Sequence, residues 1–357
     1  MKSVLILCGG RSAEHEISLI SAKAIIDALD RKQFSPIIIG ISKKGVWHLE
    51  EETSFYEGEF RADKIRLNEK RPTVLLQPFT DSKGRGVLLC EGKTLPFDVA
   101  FPMLHGQYGE DGTIQGVFST IGVPYVGASP GASALCMDKV LLKALCRTAG
   151  IPVADFVWLS SPSELKAKKA EIERLGFPLF AKPPTQGSSV GVSKVTKMAD
   201  LAAAVDTCFK YDSRCLLERA IVGREIECAV LGLHGKAKVA LPGEIIPSPK
   251  IGWYSYEAKY LLADGAETVG PASLDPVLTK KVQDMALHVF NVTECDGMAR
   301  VDLFIEKGSH TIYLNEPNTI PGFTPISMYP KMWQASGMSY AELVTALLNL
   351  AFEKAAR

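Results

Sequence analysis

Runs of apolar residues alternate with helical patterns over the first part of the chain. Residues 4–8 are apolar throughout and end at two glycines, a pattern typical of a strand buried on both faces of a parallel sheet. Apolar positions from 17 to 29 recur at helical spacing, and a second apolar run follows at 36–41. The pattern predicts a strand–helix–strand unit. Glu14 lies in the turn before the helix, where anionic or zwitterionic ligands bind; the alternative is a carboxylate stabilised only by the helix dipole.

A third buried strand is predicted at 97–104, and His105 begins the glycine-rich segment directly after it. Open α/β sheets bind ligands beyond the carboxyl ends of their parallel strands, so this segment is a candidate binding site. The alternative is that His105 merely caps the turn. Residues 43–94 are charged and rich in turn residues. They predict a loop and hairpin elaboration, in which the sequence indicates no chemistry.

The middle of the chain brings lysines to the ends of predicted elements. One helix is predicted over 131–149, containing Lys139, and a strand at 176–183 carries Lys182 at its end. The next loop, 184–193, is rich in glycine and serine, and such loops wrap phosphates because glycine permits close backbone approach. The lysine precedes the glycines, so this is not a Walker loop. The alternative is a flexible surface turn.

Two later segments, 300–305 and 312–318, alternate apolar and polar residues across a turn-like connection, which predicts an antiparallel hairpin. If their polar faces coincide, Asp302, Glu316 and Asn318 converge beside an arginine. Oxygen ligands of this kind suit Mg²⁺ better than zinc. The alternative is a hairpin with a solvated polar face, which polar alternation alone slightly favours.

Length and composition narrow the class of protein. A chain of 357 residues predicts two or three domains. The formal net charge is zero, which argues against nucleic acid as a partner. No apolar run is long enough to cross a bilayer and Met1 leads almost directly into a strand, so we expect a cytoplasmic protein without membrane contact. The eight cysteines are scattered, without the CxxC spacing of a zinc site or the pattern of a disulfide framework.

A series of short blocks, taken in order, resembles the ATP-grasp enzymes, and among them the D-alanine–D-alanine ligase family. The blocks are residues 8–18, 104–106, 109–112, 137–139, 182–183, 187–192, 256–260, 299–302, 315–319 and 321–324. Each block alone is a weak signal, whereas their shared order is specific. The resemblance implies an α/β, three-domain ATP-grasp fold. It has an N-terminal substrate-binding parallel α/β domain over 1–127, then two α+β domains that sandwich ATP, a central one over 128–221 and a C-terminal one over 222–357.

The resemblance also implies an activity. The family joins two D-alanines to D-alanyl-D-alanine for peptidoglycan precursor synthesis, through an acyl phosphate, and releases ADP and phosphate. It implies ATP as a substrate, two Mg²⁺ ions that Mn²⁺ can replace, and a homodimer. The alternatives are a D-alanine–D-lactate or D-alanine–D-serine ligase, another ATP-grasp carboxylate–amine ligase, or a nucleotide-binding regulator that has lost turnover.

The family's roles transfer to individual positions of this sequence. The matches to the family's catalytic residues are Glu14, Ser188, Tyr260, Arg300 and Gly322. By the resemblance, Arg300 and Gly322 are the oxyanion donors, and Glu14, Ser188 and Tyr260 form the hydrogen-bonded group that anchors the closed lid loop. The matches expected to hold the two D-alanines are His105, Lys259, Ser327 and Met328. The matches expected to hold ATP are Lys139, Lys182, Ser189, Glu218 near adenine and Glu225 near ribose. The matches expected to bind metal are Asp302, Glu316 and Asn318.

Two positions carry further expectations. Relatives that form an ester with D-lactate typically differ at the tyrosine of the lid motif, so Tyr260 favours D-alanine as the second substrate. Pro317 departs from the family pattern, in which a β-branched residue is usual. Because proline has no N–H group, we expect this strand to lie at a sheet edge or to lack one ladder bond.

Overall fold

The structure, a computed structural model, describes residues 1–248 and 266–357. In its N-terminal region the strands are β1 (Lys2–Gly9), β2 (Phe34–Ile41), β3 (Trp47–Glu50), β4 (Tyr56–Glu57), β5 (Arg66–Leu67), β6 (Val74–Thr80), β7 (Gly86–Cys90), β8 (Lys93–Phe97) and β9 (Val99–Pro102). A four-stranded sheet has the order β3-β2-β1-β9, with β1 parallel to both β2 and β9. Helix α1 (His15–Ala28) joins β1 to β2. The predicted strand–helix–strand unit is therefore confirmed.

The parallel pairing of β1 and β9 determines where the first candidate residues lie. Leu7 is paired with Pro102, so the turn after β1 and the segment after β9 leave the sheet side by side. Between β3 and β9 the chain forms the pair β4-β5 and the antiparallel sheet β6-β7-β8, and helix α2 (Thr113–Ile121) follows β9. The hairpin elaboration predicted for 43–94 is confirmed.

The helix predicted over 131–149 is divided in two, α3 (Pro130–Met137) and α4 (Lys139–Thr148). Asp138 lies between them with φ −86° and ψ 99°, outside the helical region. Its side chain accepts hydrogen bonds from the backbone of Val140 and Leu141 and so caps α4. An aspartate satisfies the free N–H groups of a helix start, and this cap places Lys139 at the first position of a helix.

The central sheet is antiparallel and has the order β10-β13-β11-β12. Its strands are β10 (Phe156–Leu159), β11 (Leu179–Lys182), β12 (Ser193–Val195) and β13 (Cys215–Arg219). Its helices are α5 (Glu164–Ala167), α6 (Lys169–Leu175), the 3-10 turn Met198–Asp200 and α7 (Leu201–Cys208). Lys182 ends β11, as the sequence predicts, and the glycine–serine loop leads from it to β12.

The C-terminal sheet has the order β17-β16-β14-β18-β19, with β15 paired to β14. Its strands are β14 (Gly223–Gly232), β15 (Lys238–Val239), β16 (Gly243–Pro247), β17 (Ala266–Val269), β18 (Gly297–Glu306) and β19 (Ile312–Asn318). The remaining described helices are α8 (Pro276–Val292), α9 (Met328–Ala335) and α10 (Tyr340–Ala355). β18 and β19 form the predicted antiparallel hairpin. Pro317 lies in β19 at the edge of the described sheet, as its missing N–H requires.

The apolar cores connect these sheets. Side chains of α1 and β1 share one core with α9 and α10, so the two ends of the chain pack together. Side chains of α3 and α4 share a second core with β14 and β18 of the C-terminal sheet. The domain limits 1–127, 128–221 and 222–357 stay a prediction.

All eight cysteines lie in the described part of the chain, as free, buried thiols. Within residues 1–248 and 266–357, no helix combines the length and the apolar character needed to cross a membrane.

Candidate active site

A cavity of about 1090 Å³ lies where the N-terminal region, the glycine–serine loop and the C-terminal sheet meet. Ten of the residues singled out by sequence line it: Glu14, His105, Lys139, Ser188, Arg300, Glu316, Asn318, Gly322, Ser327 and Met328. A ligand pocket of a few hundred to about a thousand cubic ångströms is typical of small-molecule sites. Residues far apart in sequence thus meet at one concave surface.

The other predicted site residues within the described part of the chain are not among those that line this cavity. Lys182 and Glu218 are paired on the central sheet, Ser189 follows Ser188 in the loop, and Asp302 is buried in β18 behind Arg300. Glu225 lies in β14. Burial lowers the pKa of Lys182, but the carboxylates of Glu218 above all, and of Glu316 and Glu225, raise it above its usual value. Lys259 and Tyr260 fall outside the described residues.

Glu14 connects the N-terminal region to the glycine–serine loop. It occupies the N-cap position of α1 but makes no capping bond with its side chain. Instead, its carboxylate accepts a hydrogen bond from the Ser188 hydroxyl. Ser188 and Ser189 have φ values of 47° and 60°, a left-handed conformation that is uncommon outside glycine. The loop therefore contacts Glu14 and contributes to the wall of the cavity, and its phosphate-binding role stays a prediction.

His105 is buried, and both of its ring nitrogens are engaged by the protein. Nδ1 lies 3.1 Å from the carbonyl oxygen of Ile320, and Nε2 lies 3.0 Å from the hydroxyl of Ser21. Burial lowers the pKa of the imidazole, although the nearby Glu14 carboxylate opposes this shift. A neutral ring that donates through Nδ1 and accepts at Nε2 satisfies both contacts. His105 therefore lines the cavity, and its contact with the Ile320 carbonyl oxygen connects the N-terminal region to the segment after β19.

Three lysines converge on two carboxylates beside the loop. Lys139 Nζ lies 3.1 Å from Glu316 Oε2 and donates to the carbonyl of Gln186 at 2.8 Å. Glu218 is 4% exposed and accepts from Lys182 at 2.5 Å, and its other oxygen is paired with the fully buried Lys143. Burial raises the pKa of Glu218, but the two ammonium groups outweigh it and lower the pKa to about 2. The cluster is rich in cations, as a phosphate site must be.

The predicted metal ligands share one face of the hairpin. Arg300 is paired with Asn318 and Asp302 with Glu316 across β18 and β19. Asn318 donates to Asp302 Oδ2 at 3.0 Å, and Arg300 donates to both Asp302 oxygens at 2.7 Å. Asp302 is only 4% exposed. The alternative of a solvated polar face is therefore wrong, because these groups are bonded to one another beneath a cavity.

The segment after β19 completes the wall of the cavity. Gly322 lies so close to Ser327 that a Cβ atom at position 322 would approach the serine hydroxyl to 2.8 Å. The same hydroxyl accepts a hydrogen bond from the backbone of Thr324 at 3.0 Å. Ser327 precedes α9 as its N-cap residue. The backbone around Gly322 is thus packed against Ser327, and Gly322 and Arg300 both line the cavity.

Comparison with known proteins decides the family. The model of the D-ala D-ala ligase N-terminus matches residues 3–128, and that of the D-ala D-ala ligase C-terminus matches residues 145–349. The D-alanine–D-alanine ligase A of Chromobacterium violaceum is 45% identical over 353 residues, covering 98% of this chain and 94% of the relative. Its counterpart in Escherichia coli strain K12 is 43% identical and covers 98% and 95%. The chain belongs to the D-alanine–D-alanine ligase family.

Solved structures agree with this family. The D-alanine–D-alanine ligase from Coxiella burnetii has a TM-score of 0.84 at 35% identity, covering 99% of this chain and 95% of its own. The VanG D-Ala:D-Ser ligase from Enterococcus faecalis has a TM-score of 0.83 at 35% identity, covering 98% and 99%. The ATP-grasp fold class and the assignment as a ligase are confirmed.

Several residues of this D-alanine–D-alanine ligase family site were missed from the sequence. Lys143 lies one turn after Lys139 in α4 and is 1% exposed, and amphipathic spacing alone does not reveal a buried lysine. Glu227 follows Glu225 by two positions and so faces the same side of β14, a signal that was available. Glu110 accepts from the backbone of Gly106 and Ile320. Burial, reinforced by the nearby Glu14, raises the pKa of Glu110 to about 8.

The segment Phe60 to Asp63 also lines the cavity, although its sequence indicated no chemistry. Its charged and turn-forming residues resemble those of an ordinary surface loop, and only the fold brings them to the site.

Among the described residues, no set of three or more histidine, cysteine, aspartate and glutamate side chains is arranged to hold a metal ion. The predicted ligands are a different set, two carboxylates and an amide.

Proposed function

We propose that this chain converts two D-alanines and ATP into D-alanyl-D-alanine, ADP and phosphate by way of an acyl phosphate, for peptidoglycan precursor synthesis. The observation that carries the proposal is the single cavity that joins Glu14, Ser188, Arg300 and Ser327. A carboxylate, a hydroxyl-bearing loop and an arginine are the groups that a zwitterionic substrate and its phosphorylated form require. Family membership supports the same reaction, since the relatives that match nearly the full chain are D-alanine–D-alanine ligases.

The first step brings two anions together, the substrate carboxylate and the γ-phosphate of ATP. Lys139 and Lys182 supply positive charge at this point, and the Gly-Ser loop with Ser189 encloses the phosphates. In this structure the two lysines are paired with Glu316 and Glu218. The nucleotide's phosphates can replace these carboxylates as partners, so ATP enters a site whose cations are already positioned. Glu218 and Glu225 are then left for the adenine and the ribose.

The second step places negative charge on the carbonyl oxygen of the first D-alanine when the amine of the second attacks it. Arg300 and Gly322 both line the cavity, and the guanidinium together with the Gly322 N–H group would stabilise that oxygen. Glu14 would hold the ammonium of the first substrate, with His105 fixing the wall behind it. Ser327 and Met328 at the start of α9 would receive the carboxylate and side chain of the second, together with Lys259.

The residues of the hairpin fit a magnesium ion. Asp302, Glu316 and Asn318 offer hard oxygen donors, and the two carboxylates among them already accept cationic partners, Arg300 on Asp302 and Lys139 on Glu316. Bound Mg²⁺, or Mn²⁺ in its place, would neutralise the phosphates during transfer. We infer that two ions bind with ATP. Chelation with excess EDTA should abolish turnover, and added Mg²⁺ should restore it.

The second substrate separates two candidate functions. The likeness to VanG, a D-Ala:D-Ser ligase, favours D-serine as a competitor, whereas the tyrosine at position 260 favours D-alanine. Purified protein with ATP, Mg²⁺ and D-alanine alone should release phosphate and yield the dipeptide. Release only after D-serine or D-lactate is added would overturn the proposal in favour of a variant ligase.

Arg300 provides the sharpest test of the site itself. Arg300→Met should lower kcat by roughly 10²-fold while ATP still binds, because an oxyanion donor acts mainly in the transition state. Arg224 is a matched control, since it donates to both oxygens of Glu244 at 2.7 Å in the same sheet. Arg224→Met should leave kcat within about threefold of wild type. Equal turnover in Arg300→Met and wild type would remove the proposed role of Arg300.

Three further features belong to the proposal. A homodimer is what the family resemblance suggests, and sedimentation of the purified chain tests it. A cytoplasmic location suits an enzyme that consumes ATP. The domain limits near residues 127 and 221 are tested by limited proteolysis, which should cut first at the exposed connections between domains.

A further inference from the structure

Arg300 lies between two buried carboxylates, of which the reaction scheme uses only one. It donates to both oxygens of Asp302 at 2.7 Å, and its Nε lies 3.3 Å from Glu227 Oε1. Glu227 is 3% exposed and Asp302 is 4% exposed. The two acids are paired across β14 and β18, so their side chains leave the sheet on the same face. Glu227 lines the cavity beside Arg300, yet no substrate, nucleotide or metal role has been assigned to it.

The present arrangement conflicts with the role proposed for Asp302. Both of its oxygens accept from Arg300, and Oδ2 also accepts from Asn318 at 3.0 Å. A divalent cation on this carboxylate would lie against a guanidinium that stays charged at every accessible pH. Arg300 must therefore break at least one of its hydrogen bonds to Asp302 when metal binds. Because a buried cation without a carboxylate partner is strongly disfavoured, the guanidinium then needs another carboxylate.

We propose that Glu227 is a positioning residue, the second counter-ion that holds Arg300 when metal occupies Asp302. The contact between Arg300 and Glu227 already exists, and its greater length relative to the Asp302 contacts leaves room for it to tighten. A small rotation of the guanidinium exchanges one carboxylate for the other. Glu227 acts through Arg300 and has no part in binding substrate. The inference rests on the proposed metal role of Asp302.

The test compares Glu227→Gln with a matched variant, Glu244→Gln. Glu244 is also buried, lies on the neighbouring strand β16 and holds both donors of Arg224 at 2.7 Å. Mn²⁺ affinity is measured in the presence of ADP from the electron paramagnetic resonance signal of free Mn²⁺, and kcat is measured separately. Substitution of groups that orient metal ligands typically costs 10–100-fold in affinity or activity. Glu227→Gln should weaken Mn²⁺ binding by about tenfold or more, whereas Glu244→Gln should change it by less than about twofold.

A double-variant cycle separates this role from a general loss of negative charge near the metal. If Glu227 acts through Arg300, then Glu227→Gln should have little further effect on Mn²⁺ affinity once Arg300→Met has removed the guanidinium. An equal weakening in both backgrounds would overturn the proposal, as would unchanged Mn²⁺ affinity in the single variant Glu227→Gln. Mn²⁺ binding needs no D-alanine turnover. A wild-type protein without ligase activity would therefore contradict the proposed function while leaving the test of Glu227 intact.

Discussion

Glu218 is the position where a single substitution should have the largest physical effect. Its carboxylate is 4% exposed and is shared by the ammonium groups of Lys143, which is 1% exposed, and Lys182. Glu218→Gln keeps the shape of the side chain and removes its charge. Two buried cations then face each other without a carboxylate between them. Breaking a buried pair by removing one partner costs more than the pair itself contributes, because the remaining charge stays desolvated.

The pKa of Glu218 gives the magnitude. Burial raises that pKa, and the two lysines more than compensate, so it falls from 4.5 to about 2. A difference of about 2.5 units at about 1.4 kcal/mol each corresponds to roughly 3–4 kcal/mol of stability at neutral pH. The native state binds this proton less tightly than the unfolded state. The stabilisation is therefore present above the unfolded pKa and is lost as the pH falls from about 4.5 to about 2.

Hydrogen–deuterium exchange of the central sheet, resolved by peptide and followed against urea, measures the effect. The amides of β11 and β13 should lose about 3 kcal/mol of protection in Glu218→Gln at neutral pH. Adding Lys143→Met should restore part of this loss, since it removes one unpaired cation. Asp284→Asn, which breaks an exposed ion pair with Lys280 on α8, is the control and should change protection by less than about 1 kcal/mol. A loss below about 1 kcal/mol in Glu218→Gln, or no recovery with Lys143→Met, would refute the reasoning.

Other substitutions test separate parts of the structure. Glu50 is buried, and neither carboxylate oxygen has a hydrogen-bond partner among the described residues. Burial raises its pKa from 4.5 to about 8, so wild-type stability should fall as the pH rises from about 4.5 to about 8. Glu50→Gln should remove that fall, and the same pH dependence of the melting temperature in both proteins would contradict this. Ser21→Ala removes the hydroxyl that contacts His105 and accepts from the backbone N–H of Phe323. The substitution should lower the free energy of unfolding by about 1–3 kcal/mol in a urea titration. An unchanged unfolding midpoint would show that these contacts are dispensable. Gly243→Ala would place a Cβ atom 1.9 Å from the terminal carbon of Met328, so this methionine would have to move within the cavity wall. KM for the second D-alanine should then rise by about tenfold. An unchanged KM would mean that Met328 does not shape the pocket.

The sequence was most informative where one local pattern determined the structure. The apolar run of β1 and the alternation in β18 and β19 predicted a parallel strand and an antiparallel hairpin, and both are confirmed. Pro317 predicted a strand at a sheet edge or one lacking a ladder bond, because its nitrogen cannot donate, and β19 lies at the edge of the described sheet. These features depend on residues within a few positions of one another, and local patterning is sufficient for them.

Features that depend on tertiary contacts could not be predicted. The helix over 131–149 has an unbroken helical pattern, yet Asp138 interrupts it by capping α4 and pairing with Arg214. Lys143 looks like a solvent-facing lysine until the fold places it against Glu218, distant in sequence. The polar face of the hairpin looks solvated for the same reason. Only the resemblance of ordered blocks to a known family pointed to a metal site there.

The central claim is that the cavity activates the carboxylate of the first D-alanine by phosphoryl transfer before the peptide bond forms. D-alanine labelled with ¹⁸O in both carboxylate oxygens tests it directly when it is incubated with ATP, Mg²⁺ and the protein. If the carboxylate attacks the γ-phosphate and the second amine then expels phosphate, one labelled oxygen must leave with that phosphate, and mass spectrometry should find it there. Dipeptide formed together with unlabelled phosphate would contradict the proposed mechanism.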